Sequence, residues 1–198
     1  MTDSPLHGAH VDTPWGVLRL LVTPEDGVVR AAGLDEDDRD LVRRLPSPHA
    51  ARPVVEDPLD AVVGPVQAWL GGDFDALLEV PVEQPGGEFF QDVWQAMREV
   101  PAGEPVSYQE LAAAAGRPRA MRAVGTACRR NAVAILVPCH RVIRAGGRLG
   151  SYGFGGVGIK ASMLAFEAGT PVGRLPLVES AAHEDDAAPS RFSEQSLP

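Results

Sequence analysis

The chain has 198 residues, 44% of them hydrophobic, enough to bury a sizeable core in one or two domains. Its formal charge of −9, taken alone, argues against nucleic acid, and no apolar run approaches the roughly 20 residues that a bilayer-spanning helix needs. Met1-Thr2-Asp3-Ser4 lacks the basic start of a signal peptide, and with Cys128 and Cys139 as the only cysteines neither a disulfide framework nor a Cys-rich zinc site is available, so a reduced, cytoplasmic chain is expected.

From about His10 to Gly33, apolar stretches on either side of Glu25-Asp26-Gly27 predict two strands joined by a turn at Asp26-Gly27. Leu34, Leu41, Val42 and Leu45 fall partly at helical spacing and predict a short surface helix, and the prolines between Pro46 and Pro58 predict a loop. Asp57 as cap and Pro58 in the first turn open a helix that Gly71-Gly72 stops. Leu59, Val62, Val63, Val66 and Leu70 share its face, and a kink or break is expected at Gly64-Pro65. These elements make an α+β amino-terminal domain over residues 1–82, with a linker at 83–88, and no chemistry is evident in this half.

The second domain, 89–170, opens on a helix whose face carries Phe90, Val93, Trp94 and Met97. Ser107, with Glu110 three residues on, forms a capping box for a helix that stops at Gly116. A further helix from about Arg119 to Arg129 turns Met121, Val124 and Cys128 inward and Arg122 and Arg129 outward. Two short helices around a Gly-containing turn, the second basic, predict a helix-turn-helix, although helix pairs that never touch DNA share that pattern. Charge distribution bears on the choice. Between Ser107 and Lys160 nine basic residues (Arg117, Arg119, Arg122, Arg129, Arg130, Arg141, Arg144, Arg148 and Lys160) face one acid, Glu110, a local +8 in a chain of −9. Such asymmetry suits one surface to a polyanion.

Ile135-Leu136-Val137, bounded by Pro138, reads as a buried strand that ends at Cys139-His140. A free thiol titrates near ~8.5 and is nucleophilic only as thiolate; His140 offers a proton acceptor, and Arg141 and Arg144 offer positive charge. A bare Cys-His pair is equally compatible with a small core residue beside a satisfied polar neighbour. Further on, Gly146-Gly147 suits a hairpin turn, and the glycine-rich Ser151–Gly156 lacks phosphate-loop spacing and reads as a lid. Lys160 to Gly169 reads as a final helix with Met163, Leu164 and Phe166 apolar, and 171–198 as a disordered tail.

Pro138-Cys139-His140-Arg141-Val142, together with Arg130-Asn131 and Ser107-Tyr108-Gln109-Glu110-Leu111, resembles the O6-alkylguanine-DNA alkyltransferases, from about Phe89 to Glu167 and more weakly back to about Val11. The resemblance implies a ribonuclease-H-like amino-terminal scaffold followed by a helical, winged-helix-like domain that contains the helix-turn-helix. It implies direct-reversal repair by a monomer without cofactor: one irreversible transfer of an alkyl group from guanine O6, with thymine O4 as a further candidate, in double-stranded DNA to Cys139. Some members carry zinc in the amino-terminal domain; with no cysteine before Cys128, none is expected here.

An alkyl group on O6 lies inside a stacked duplex, so the nucleotide must be turned out to meet a protein nucleophile. The resemblance implies that Arg122 enters the base stack through the minor groove, that Tyr108 acts on the target phosphate, and that Gln109, Arg117 and Arg119 contact the backbone. A solvated face is the alternative for Arg117, Arg119, Arg129 and Arg130. It further implies Cys139 as nucleophile, His140 as proton acceptor through a water, Glu167 as orienter, Asn131 as a hinge, and Val142, Tyr152 and Gly153 as base-binding groups. Gly153 stands where some members have a serine, so the group that stabilises O6 stays open, and the small lid suggests acceptance of groups larger than methyl. Two other classes compete: a lesion-binding relative that lacks the acceptor cysteine, which Cys139 argues against, and a thiol hydrolase, for which no oxyanion hole is apparent.

Overall fold

In a computed structural model that describes residues 4–34 and 36–175, the amino-terminal half is built on a four-stranded sheet of order β3-β2-β1-β4. β1 (Leu6–Thr13), β2 (Gly16–Thr23) and β3 (Val28–Leu34) run antiparallel in succession, and β4 (Val54–Glu56) lies parallel to β1. The stretch predicted to hold two strands therefore holds three. Pro14 cannot donate to a ladder, and the chain turns there: Gly16 takes φ +118°, and the Thr13 hydroxyl donates to the Gly16 carbonyl at 2.6 Å. The turn at Asp26-Gly27 forms as expected, with Gly27 at φ +69°.

Side chains alternate along β2, and both faces of the sheet are covered. Leu21 joins Leu6, Ala31, Leu41 and Leu45 beneath α1 (Asp38–Val42), whereas Leu18, Leu20 and Val22 belong to the main core. The segment 46–58, predicted as loop, includes the one-turn helix α2 (Ser47–Ala50) and β4, whose short pairing with β1 leaves no room for a longer strand signal. α3 (Asp60–Leu70) passes unbroken through Gly64-Pro65. Proline there forfeits a bond to Ala61, and burial of Val62, Val66 and Trp69 holds the helix through it. Its cap is Leu59 at φ +47°; Asp57 instead accepts from Leu59 N at 2.9 Å in the preceding turn.

In the second half, α4 (Glu88–Arg98), α5 (Tyr108–Ala114) and α6 (Met121–Arg129) pack together, and Val93, Trp94 and Met97 are buried as their spacing predicts. Trp94 Nε1 donates to the Ala127 carbonyl at 3.0 Å, tying α4 to α6. The predicted capping box is present: Ser107 N donates to Glu110 Oε2 at 2.7 Å, and Glu110 N to Ser107 Oγ at 3.2 Å. β5 (Val106–Ser107) pairs in parallel with β6 (Val142–Ile143), which brings Tyr108 towards the Cys139 segment. α6 starts after Ala120, and Met121 is 50% exposed rather than inward. Around Gly146 and Gly147, both at positive φ, the chain makes a 3-10 turn without flanking hairpin strands.

α7 (Gly156–Glu167) begins four residues before Lys160, where Gly155 at φ +90° turns the chain into the helix. Its last turn is fixed by Phe166, whose ring lies 5.4–5.5 Å from those of Trp15, Trp69 and Phe74. Val172–Arg174 form a 3-10 turn and Leu175 packs on the core, so the tail reading does not hold for 171–175; its remainder lies outside the described residues.

The halves meet on the edge of the sheet. Val82 and Val133 each bridge to β3, and the main core runs without interruption from Val11 to Phe166. An exposed strand edge is thereby covered, and the segment that leads to Cys139 is anchored to the amino-terminal sheet.

Candidate active site

The apolar run before Cys139 is a turn and not the predicted strand. Ala32 of β3 brackets Val133, its N donating to Ala132 O and its carbonyl accepting from Ala134 N, both at 2.9 Å, and the chain then doubles back. Leu136 N donates to Ala134 O at 2.8 Å and Val137 N to Val133 O at 3.1 Å, with Ile135 at φ +68°. A β-branched residue in that region costs on the order of 1–3 kcal/mol and persists only where its surroundings over-determine it. Asn131 supplies the constraint: its Oδ1 accepts from Val133 N at 3.0 Å, and its Nδ2 donates to Val137 O at 2.8 Å. Gln84, in the segment read as a linker, is buried and accepts from Ala132 N at 2.6 Å. Buried turns and buried strands share an apolar composition, which is why periodicity could not separate them.

Cys139, His140 and Arg141 then form one 3-10 turn ahead of β6, all buried. Asn131 Nδ2 also donates to Cys139 Sγ, at 3.3 Å. Burial raises the Cys139 thiol above its ordinary range, opposed by that hydrogen bond and by the nearby Lys160 charge. The resting residue is a thiol and needs a base.

His140 is 0% exposed, and its Nε2 lies 2.9 Å from Glu167 Oε1. Burial pushes the Glu167 carboxyl up, but the facing imidazole and the Arg141 guanidinium outweigh it and hold the group at about 2. A carboxylate only accepts, so Nε2 carries a proton, and in the neutral ring the free lone pair is on Nδ1. Nδ1 is buried without a hydrogen-bond partner among the described residues. Arg141 closes the arrangement: Nε and Nη2 donate to Glu167 Oε2 and Oε1 at 2.9 and 2.8 Å, and Nη1 donates to the Val100 carbonyl at 2.6 Å. The sequence counted Arg141 only as a positive neighbour and missed this fork. It also missed Lys160, buried with Nζ 2.5 Å from the Val142 carbonyl, its pKa lowered by burial. The spacing of Lys160, Met163 and Glu167 on one face of α7 was the signal available.

A cavity of about 880 Å³ opens beside Cys139, and Tyr108, Gln109, Arg122, Tyr152 and Gly153 line it with Cys128 and Arg144. Asn131, His140 and Glu167 stand behind Cys139. Val142 is buried off the cavity, its carbonyl engaged by Lys160. Arg117 and Arg119 lie apart, at the α5–α6 turn, and Arg117 sits 5.2 Å over the Phe89 ring. Arg141 and Lys160 do not contribute to the basic surface; the arginines left exposed on it are Arg117, Arg119, Arg122, Arg129, Arg130, Arg144 and Arg148. Tyr152 is fixed by an edge-on contact with His140, ring centroids 6.4 Å apart, and by its hydroxyl at 3.5 Å from Met163 Sδ. Burial raises the Cys128 thiol far above its ordinary range as well, and no hydrogen bond to its sulfur like that from Asn131 to Cys139 is seen among the described residues. Among the described residues no group of three or more His, Cys, Asp and Glu could hold a metal.

A family model for the 6-O-methylguanine DNA methyltransferase DNA-binding domain matches residues 88–169. Human methylated-DNA--protein-cysteine methyltransferase is 36% identical over 182 residues, which take in 83% of this chain and 82% of that protein. The chain belongs to the 6-O-methylguanine DNA methyltransferase family. The Escherichia coli bifunctional transcriptional activator/DNA repair enzyme Ada is 41% identical over 152 residues, 76% of this chain and 42% of that protein. The rat methyltransferase is 50% identical over 97 residues, 49% of this chain and 46% of that protein, so the chain spans less than half the length of several relatives it matches. The Mycobacterium tuberculosis OGT crystal structure in complex with DNA superposes with a TM-score of 0.64 at 33% identity, covering 82% of this chain and 92% of that one. That breadth takes in both halves, so the α+β architecture as a whole is that of the methyltransferase family.

Proposed function

We propose that this protein repairs DNA by direct reversal, moving an alkyl group from guanine O6 to Cys139 once per molecule. The observation that carries the proposal is a buried thiol at the wall of an arginine-edged cavity, backed by a histidine whose free nitrogen is Nδ1 and whose other nitrogen is held by the Glu167–Arg141 pair. The thiol proton passes to Nδ1, sulfur bonds the alkyl carbon, and the C–O6 bond breaks onto guanine, which takes up a proton. Glu167 stabilises the imidazolium in the meantime. The thioether is not reopened.

Duplex DNA is the partner in this reading. Arg122, exposed on α6 at the cavity rim, takes the place of the flipped nucleotide, its flat head suited to stacking. Tyr108 and Gln109 contact the target strand, Tyr152 and Gly153 the base, and Arg117 and Arg119 the backbone farther out. Asn131 holds the hinge. The sheet half, 1–82, serves as a ribonuclease-H-like scaffold, 83–88 as the linker, and 89–170 as a winged-helix-like unit; the antiparallel β1–β3 followed by parallel β4, and the α5–α6 pair beside β5–β6, support these assignments. The reading places the chain in the cytoplasm, in keeping with its free thiols. To test it, duplex containing O6-methylguanine is titrated with protein and the digested DNA assayed for the lesion. Loss of one lesion per molecule, with guanine restored and no further turnover, is expected; unlimited turnover or an unchanged lesion would refute the proposal.

A further inference from the structure

A second cavity, of about 430 Å³, lies across the lid from the first: Cys128, Arg129 and Gly153 border both, and Arg44, Arg130 and Phe154 are among the rest of its wall. Arg44 belongs to the amino-terminal half, just past α1, yet its guanidinium carbon is 5.2 Å from the centroid of the Phe154 ring. Its Nη2 donates to Glu36 Oε1 at 2.6 Å. Glu36 is in turn confined, because a Cβ added at Gly33 would come within 2.7 Å of its carboxyl carbon. The arginine is thus anchored on one side and laid on the lid on the other.

From Phe154 the contacts lead straight to the chemistry. Phe154 is 3% exposed and meets Tyr152 edge-on with centroids 5.6 Å apart, and Tyr152 meets His140. At its far end the lid is fixed by Gly155, where φ is +90° and an added Cβ would fall 2.2 Å from Ile159 Cδ1. At Gly153, just before the clamped Phe154, nothing lies within 4 Å of an added Cβ, so the lid is open on that side.

We propose that Arg44 is a positioning residue that clamps the lid through Phe154 and so sets the size of the alkyl group admitted beside Cys139. The inference rests on the reading of the larger cavity as the alkylguanine site. With the clamp engaged, Gly153 and Tyr152 stand close to the reacting carbon and favour small groups. With it released, Phe154 yields into the second cavity, Gly153 retreats with it, and bulkier groups fit.

The test compares single-turnover transfer from duplexes containing O6-methylguanine and O6-benzylguanine in the wild type, Arg44→Ala, Phe154→Leu and the double variant, with thermal melting to confirm folding. Arg44→Ala should raise the benzyl-to-methyl rate ratio about threefold to tenfold, the scale of one cation over a partly buried aromatic face. Phe154→Leu should do the same, the double variant no more than either alone, and Arg44→Lys should recover part of the wild-type ratio. A ratio unchanged in folded Arg44→Ala, or changes that multiply in the double variant, would overturn the proposal. Absence of transfer by the wild type would instead sink the reading of the reaction. Hydrogen exchange over 151–155, which needs no substrate, would still decide the clamp: faster exchange in Arg44→Ala upholds it and unchanged exchange removes it.

Discussion

Replacing Glu167 by Gln removes the negative charge from a residue that is 5% exposed while keeping its volume. The amide can still accept from His140 Nε2, but it cannot accept both Arg141 bonds as an anion, and the Arg141 charge stays buried with only the Val100 carbonyl unchanged. The carboxyl is held at about 2 against an ordinary value of 4.5. At 1.36 kcal/mol per pH unit, that difference corresponds to on the order of 3 kcal/mol of stability at neutral pH. The same size is expected from breaking a buried ion pair, about 3–5 kcal/mol. The sign follows from the lowered pKa: the contribution is complete above about 4.5 and is lost as pH falls through about 2. Urea unfolding at neutral pH should therefore find Glu167→Gln less stable by about 3 kcal/mol, and the gap should narrow as the pH is taken below about 4.5. Transfer to Cys139 should also slow by about a hundredfold or more, because the imidazolium loses its counter-charge. Equal stabilities at neutral pH, or a gap that does not narrow in acid, would refute the assignment of the carboxylate.

Further outcomes follow from single contacts. Asn131→Ala should cost about 2–4 kcal/mol in urea unfolding, since Val133 N and Val137 O lose buried partners, and should slow iodoacetamide labelling of Cys139 by removing the bond to its sulfur. Gly155→Ala should lower the melting temperature, because the new Cβ meets Ile159 at a left-handed φ, whereas Gly153→Ala, with open space around it, should leave melting unchanged. Arg122→Ala should slow transfer from duplex more than transfer from free O6-benzylguanine base, compared in parallel single-turnover assays, if its task is to hold the flipped state.

How far the sequence could be read depended on whether a residue's task lies within a few positions of it. The capping box at Ser107 and Glu110, the apolar face of α4 and the Asp26-Gly27 turn are local, and all form as predicted. The strand expected before Cys139 failed because the turn, spanned by Asn131, is also held from a distance by β3 and Gln84, which no local pattern shows. Cys139, His140 and Glu167 do come together, with the last arriving from a separate helix. Arg141 and Lys160, which look like surface charge in a count of residues, are turned inward by partners that no local pattern names, Val100 and Glu167 for one and Val142 for the other. Arg44 meets Phe154 through a tertiary contact spanning both halves, so the sequence gives no hint of it.

Intact-protein mass spectrometry with peptide mapping, after incubation with duplex containing O6-methylguanine, tests the acceptor most directly. One methyl group on the peptide that carries Cys139, absent in Cys139→Ser, is the expected result. A methyl group on Cys128, or methyl transfer that persists in Cys139→Ser, would contradict Cys139 as the acceptor.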